Sequence, residues 1–527
     1  MSKASVPVTR IGAAIGLAFA MVGSAGVAQA ASSSADTTRV VIEFKPGSAA
    51  VASARAAIAN AGGQVKREIL RGGAVAVVLP TRMVAALKRN ANILSVEEDA
   101  VRYPLALTTP SAKPYKLGQL VPYGISMVQA DQLPRGDLKT GNRKICIIDS
   151  GYDRTHEDLA ANNVTGEFDT ATGWWYDDEA HHGTHVAGTI AAINNKGVGV
   201  VGVNPSKKLG LHIVKVFGAA GTWAYSSDLV AATEKCEAAG ANIISMSLGG
   251  PLPSGAERTK FAQLEADGIL SIAAAGNGGN KLTSYPAGYA GVMSVAAVDS
   301  TKTLASFSQR NADVEIAGPG VSVLSTVPMG TGIEPDLKVG ATTYDPGAME
   351  GSPLATVTAP LADFGLGDAV KPAVAGKVCL IARGTIPFSD KVTNCQNSGG
   401  VGAVIYNNEP GVFAGTLGTV VTTIPSVSTS DTDGTSLLAQ LGQSATVTVA
   451  ASNYAYFDGT SMATPHVSAV AAQVWSYFPT CTAAQIRSTL DKSALDLGAA
   501  GRDTSYGYGL VQAKAAYDRL ASLGCAN

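Results

Sequence analysis

Apolar and polar positions change rhythm several times along the chain. From residue 119 onward, short runs apolar on both faces alternate with longer stretches whose apolar residues recur at helical spacing. Arg143-Lys144-Ile145-Cys146-Ile147-Ile148 runs into Asp149-Ser150-Gly151, and residues 211–216, 241–248 and 269–275 have the same form. Residues 224–239, 256–267, 461–477 and 482–493 read as helices. Strands buried on both faces and joined by helices belong in a parallel sheet, so the pattern predicts an α/β fold. In such sheets, sites gather beyond the carboxyl ends of the strands. Asp149, Ser247 to Gly250, and Gly276-Asn277-Gly278 all fall there.

Two other stretches follow different rhythms. Residues 36–104 read as strand, helix, strand, helix, strand, a compact α+β module, with a Pro-containing linker over 105–118. Residues 334–450 are rich in Gly, Thr, Val and Pro and interrupt the helical pattern, which predicts a β-rich insert. The wound unit then comprises 119–333 and 451–527. At the start, Lys3 and Arg10 precede an apolar run over 11–20, and Ala28-Gln29-Ala30 has the small-x-small form of a cleavage site. Residues 1–30 therefore read as an export signal, the run being too short for a membrane anchor.

Composition narrows the partners. The 527 residues are 46% hydrophobic and 15% charged, with a formal net charge of −2. Nothing there calls for nucleic acid or an anionic membrane, and no later segment is long and apolar enough to span a bilayer. Export makes the six cysteines candidates for disulfides. Proximity suggests Cys379 with Cys395, and tail position suggests Cys481 with Cys525 as a clasp. Cys146 and Cys236 are left to pair or to remain buried thiols.

The candidate chemistry centres on Gly459-Thr460-Ser461-Met462-Ala463-Thr464-Pro465. Ser461 is expected at the start of a buried helix, where free backbone N–H groups favour developing negative charge. Pro465 is expected in that helix's first turn. A serine nucleophile needs an imidazole to take its proton and a carboxylate to orient the imidazole. His182 opens an Ala-rich helical stretch, Asp149 ends an apolar strand, and Asn277 lies between glycines where its amide can donate to an oxyanion. A metal on His181, His182 and His185 fits poorly, because the spacing is wrong and no Glu lies between. An α/β-hydrolase would need Gly-x-Ser-x-Gly and the order Ser, Asp, His; here Ala463 follows Ser461 by two and the order is reversed.

Four stretches resemble the motifs of the subtilisin-like serine peptidases: Ile148-Asp149-Ser150-Gly151, His182-Gly183-Thr184-His185-Val186-Ala187-Gly188, Ala275-Gly276-Asn277, and the Ser461 segment. The resemblance covers most of 119–333 and 451–513. It implies a three-layer fold around a parallel sheet, with Asp149 as orienting acid, His182 as general base, Asn277 as oxyanion donor and Ser461 as nucleophile. His185 stays outside that set. The implied activity is endopeptidase cleavage of proteins through an acyl-enzyme; the alternative is an inactive protein-binding scaffold. Ser247-Leu248-Gly249-Gly250 and Gly221-Thr222-Trp223 resemble the two edges that pair with an extended peptide, with Leu248 and Tyr225 lining an apolar distal pocket. Ser284 matches the base of the primary pocket, which its hydroxymethyl would make shallower; no acid there favours Lys or Arg. Gln119, Asp158 and Asn195 match positions that hold structural Ca²⁺ in relatives, with backbone carbonyls of the following loop. Residues 36–104 resemble the family's inhibitory propeptide and 334–450 a protease-associated (PA) domain, implying a secreted, self-processing zymogen. Its partners would be protein and peptide substrates and its own propeptide, and the enzyme would be a monomer.

Overall fold

The computed structural model describes residues 36–105, 107–108, 119–195, 197–219, 223–413 and 415–526. The export signal read at 1–30, most of the linker and Gly221 lie outside them.

The N-terminal module is built from β1 (Thr37–Phe44), α1 (Ser48–Asn60), β2 (Gln64–Ile69), β3 (Ala74–Pro80), α2 (Val84–Lys88) and β4 (Ile93–Glu98). They form an antiparallel sheet in the order β2-β3-β1-β4. Strand β2 was not expected: of Gln64-Val65-Lys66-Arg67-Glu68-Ile69 only Ile69 is buried, as suits an edge strand. One sheet face buries Val40, Ile42, Val75 and Val77 beneath the helices. The other turns Val41, Ile69 and Ala74 onto Val230, Ala231 and Ala256 of the wound unit. The chain leaves the module through β5 (Val101–Pro104) and β6 (Leu107–Thr108).

The wound unit contains β7 (Lys144–Asp149), β8 (Asn163–Gly166), α3 (His182–Ala191), β9 (Gly210–Lys215), β10 (Ala224–Tyr225), α4 (Ser226–Ala238), β11 (Ile243–Met246), β12 (Leu248–Gly249), α5 (Gly255–Ala266), β13 (Leu270–Ala274), β14 (Val292–Val298) and β15 (Val314–Pro319). Its seven-stranded sheet has the order β15-β14-β13-β11-β7-β9-β8, and every pair in it is parallel. Side chains alternate across β7. Ile145 and Ile147 join a core with Val186 and Ile190 of α3 and Met462 and Val470 beyond. Cys146 and Ile148 face Leu229 of α4 and Phe261 and Leu264 of α5. Helices therefore cover both faces, giving three layers. Disulfides join Cys146 to Cys236, Cys379 to Cys395 and Cys481 to Cys525, so Cys146 is locked to α4 across the second core.

After β16 (Val323–Thr326) the chain departs into a nine-stranded β-rich sheet and returns through β17 (Tyr454–Asp458), which pairs antiparallel with β16. The outgoing strand Gly332–Val339 and the returning strand Ser444–Ser452 pair along their length, from Gly332↔Ser452 to Val339↔Ala445. Leu337, Val378, Leu380, Val404 and Val447 form part of the insert's own core. Three helices close the chain: α6 (Thr460–Tyr477), α7 (Ala483–Ser493) and α8 (Ala513–Leu523). Among the described residues no helix is long and apolar enough to cross a membrane.

Candidate active site

Strand β7 carries Asp149 to the carboxyl edge of the sheet, and α3 opens there with His182. His182 Nδ1 lies 2.7 Å from Asp149 Oδ1, with both side chains buried. With Nδ1–H donating to the carboxylate, Nε2 keeps its lone pair, and among the described residues that atom has no hydrogen-bond partner. The first turn of α3 is fixed by a second carboxylate. Asp178 accepts from Thr184 N and Oγ1 at 2.7 and 2.6 Å and from Ser150 Oγ at 2.7 Å, while Ser150 Oγ accepts from Gly183 N at 2.8 Å. Burial would depress the His182 pKa, but the charge and hydrogen bond of Asp149, helped by Asp178, raise it above 6.5. His185 differs. Burial, with the nearby His182 charge adding to it, lowers it to about 3, and its Nε2 faces the carbonyls of Val323 and Ala455.

Ser461 is the second residue of α6, which starts at a sharp turn on Gly459. Gly459 has φ 152° and ψ 158°, a region closed to residues with a Cβ. Pro465 lies in the second turn rather than the first. Its missing N–H leaves the Ser461 carbonyl without an intrahelical donor. Ser247 Oγ supplies one at 2.7 Å, and Ser461 Oγ donates in return to the Ser247 carbonyl at 2.8 Å. The Ser461 hydroxyl is thus turned to Ser247 and not to the His182 ring. Asn277 is held by Thr460, whose N and Oγ1 donate to Asn277 Oδ1 at 2.9 and 2.8 Å. That fixes the amide with its N–H₂ side toward the cleft.

What Asn277 faces is the backbone carbonyl of Leu105. Asn277 Nδ2 donates to it at 2.8 Å and Ser461 N at 3.4 Å. Upstream, β5 lies antiparallel between β10 and β12, with Arg102 opposite Ala224 and Tyr103 opposite Gly249. Leu105 N continues the ladder to the Ser247 carbonyl at 3.3 Å. Downstream, β6 pairs antiparallel with β17. Both the segment that ends at Leu105 and the one that begins at Leu107 are therefore paired with strands of the peptidase. A Cβ placed on Gly249 would meet Ser284 Oγ at 2.4 Å and Leu105 Cδ1 at 2.9 Å, so the Leu105 side chain and Ser284 share one pocket that only glycine leaves open. The subsite that receives Arg102 is not apolar, because its side chain ends on buried Glu257.

The profile described as the subtilase family matches residues 141–351 and 397–509. The chain belongs to the subtilase family. A PA domain profile matches 353–437, inside the β-rich insert of this subtilase. Subtilisin amylosacchariticus of Bacillus subtilis subsp. amylosacchariticus is 37% identical over 326 residues, 60% of this chain and 81% of its own. M-protease of Shouchella clausii (strain KSM-K16) is 40% identical over 261 residues, 49% and 63% of the two chains. The crystal structure of the psychrophilic subtilisin-like protease Apa1 from the Antarctic psychrotroph Pseudoalteromonas sp. AS-11 aligns with TM-score 0.62 and 44% identity, over 77% of this chain and 99% of that one. The chain is a serine peptidase of this family.

Gln119 and Asp158, from two other segments, both bond to the 193–200 loop that carries Asn195. Asn195 Nδ2 donates to Asp158 Oδ1 at 2.6 Å, and Gln119 Nε2 donates to the carbonyls of Ile193 and Val200 at 2.8 and 3.0 Å. Carboxylate, carboxamide and carbonyl oxygens are the donors Ca²⁺ takes, but both carboxamides present their nitrogens to the neighbouring oxygens, so each would have to turn over to bring Gln119 Oε1 and Asn195 Oδ1 to an ion. Among the described residues no three His, Cys, Asp or Glu side chains cluster as a metal site. Reading the sequence missed Asp178, Thr460 and Glu257. Only Thr460 carried a signal, as the hydroxyl beside the nucleophile candidate.

Proposed function

We propose that the chain is a secreted serine endopeptidase, made as a zymogen that cuts itself after Leu105. The supporting observation is the Leu105 carbonyl between Asn277 Nδ2 and Ser461 N–H, in a segment paired like a substrate strand. In this reading Ser461 Oγ attacks the Leu105 carbonyl carbon and its proton passes to His182 Nε2. Asn277 and the Ser461 N–H stabilise the oxyanion, and Asp149 stabilises the imidazolium. His182 then protonates the leaving nitrogen, the C–N bond breaks, and water, deprotonated by His182, releases the acyl group from Ser461. Disulfides at all six cysteines favour an oxidising compartment. The mature enzyme would accept a medium-sized apolar residue at the primary pocket, as Leu105 does beside Ser284.

A Ser461→Ala chain should remain joined across residue 105 after signal removal, while the wild-type mature form should begin at Ala106. Mass spectrometry of both reads the result. Maturation of the Ser461→Ala chain would assign the cut to another peptidase.

Gln119, Asp158 and Asn195 would hold a structural Ca²⁺ with the Ile193 and Val200 carbonyls, tying the 193–200 loop to residue 119. A chelator should lower the melting temperature and added Ca²⁺ should restore it. An unchanged transition would remove the ion from the account.

A further inference from the structure

The fourth residue back from the Leu105 bond is arginine, and it is wholly buried. Arg102 and Glu257 are each 0% exposed. Arg102 Nε donates to Glu257 Oε1 at 3.0 Å and Nη2 to Oε2 at 2.6 Å, the paired fork of a guanidinium on a carboxylate. The third nitrogen, Nη1, donates to the Val101 carbonyl at 2.9 Å. On the far side of the carboxylate, the Tyr289 hydroxyl lies 2.9 Å from Oε2 and is itself fixed by Ser254 N at 2.7 Å. The two partners belong to different parts of the zymogen. Arg102 precedes the cleaved bond and leaves with the N-terminal module, whereas Glu257 stays on α5 of the peptidase. The peptidase offers Glu257 no replacement cation among the described residues. Arg258 lies over the Tyr289 ring, 5.9 Å from its centroid, and Lys260 is bonded to Glu237.

From this juxtaposition we propose that the mature enzyme selects arginine four residues before the bond it cuts, with Glu257 as the selecting group. The inference rests on the peptidase reading and specifies its substrate class: chains carrying Arg-x-x-Leu before the scissile bond. A carboxylate at the end of a closed subsite discriminates in two ways. Arginine restores its two charge-assisted hydrogen bonds, while an apolar side chain would cover the carboxylate and leave it without a counter-charge. Lysine, a point charge without the fork, should rank between them.

The test uses the full-length chain, allowed to mature, and three peptide anilides ending in Arg-Tyr-Pro-Leu, Lys-Tyr-Pro-Leu and Leu-Tyr-Pro-Leu. The arginine peptide should exceed the leucine peptide in kcat/KM by roughly 10- to 100-fold, the range for hydrogen bonds to charged groups. In Glu257→Gln that ratio should collapse toward one. Equal cleavage of the arginine and leucine peptides by the wild type, or preference for leucine, overturns the inference and leaves the peptidase reading standing. A ratio unchanged in Glu257→Gln also overturns it. Cleavage of none of the three overturns both readings.

Discussion

At the scale of single residues, the chemistry proposed for this chain depends on groups far apart in sequence holding one another in place. Asp149 fixes the His182 ring, Asp178 and Ser150 fix the turn that carries it, and Thr460 fixes the Asn277 amide. The His182 shift gives a pH prediction. Burial works to lower its pKa, and Asp149 and Asp178 more than offset that, so the net direction is upward from 6.5. A general base must be neutral, so activity is lost as pH falls through the raised value. The acid limb of kcat/KM should therefore lie above pH 6.5 and fall about tenfold per unit below it. Activity that stays flat to pH 5 would remove His182 from the role of base. Asp149, His182, Asn277 and Ser461 were all legible in the sequence, because each stands in a short motif with a local reason for its position. Glu257 was not. It lies in Ala256-Glu257-Arg258-Thr259-Lys260, which reads as a solvated helix face, and its partner is 155 residues away.

Among the elements, the most informative contacts are those between the N-terminal module and helices α4 and α5. A helix N-terminus leaves backbone N–H groups unpaired and carries partial positive charge. Asp99 accepts from Ser227 N at 2.9 Å and from the Ser226 and Ser227 hydroxyls at 3.0 and 2.6 Å at the start of α4. Glu97 accepts from Gly255 N at 2.7 Å and Ala256 N at 3.2 Å at the start of α5. Two carboxylates two residues apart thus cap two helices of the peptidase. Each such cap is worth about 0.5–2 kcal/mol, or roughly 2- to 30-fold in an equilibrium. In full-length Glu97→Ala or Asp99→Ala, the cut module should therefore leave sooner. The lag between cleavage, seen on a gel, and the onset of peptidase activity should shorten by a factor in that range. A lag equal to wild type would mean that these caps do not hold the module. The sequence announced β1, β3 and both helices of the module through their apolar periods. It concealed β2, whose polar side chains serve a surface role: Arg67 pairs with Asp228 of α4 at 2.6 Å. It also concealed β10, two residues that read as the start of α4 and become a strand only because β5 lies beside them.

For the whole molecule, the question is what the β-rich insert adds to a peptidase whose sheet and site close without it. Its limits were legible as a change of composition, but its attachment was not, since strand pairing across more than a hundred residues leaves no local signal. The structure makes that attachment a two-stranded stem in which Ile333 stands opposite Ala451. Outside the stem the peptidase side is anchored independently: Met329 N donates to Asp153 Oδ2 at 2.9 Å and Gly330 N to Asn453 Oδ1 at 2.8 Å. Residues 334–450 can therefore be replaced by Asn-Gly, the two-residue turn that suits a tight hairpin, without breaking those anchors. None of the groups assigned to catalysis or to the Arg102 and Leu105 subsites lies in the excised stretch. Cleavage of a short anilide peptide should consequently remain within about twofold of wild type, the scale of a surface change of under 0.5 kcal/mol. If the insert binds or screens protein substrates, cleavage of a folded protein should change by much more than that in the same variant. Parallel loss on peptide and protein, with a lowered melting temperature, would instead make the insert a structural support of the peptidase.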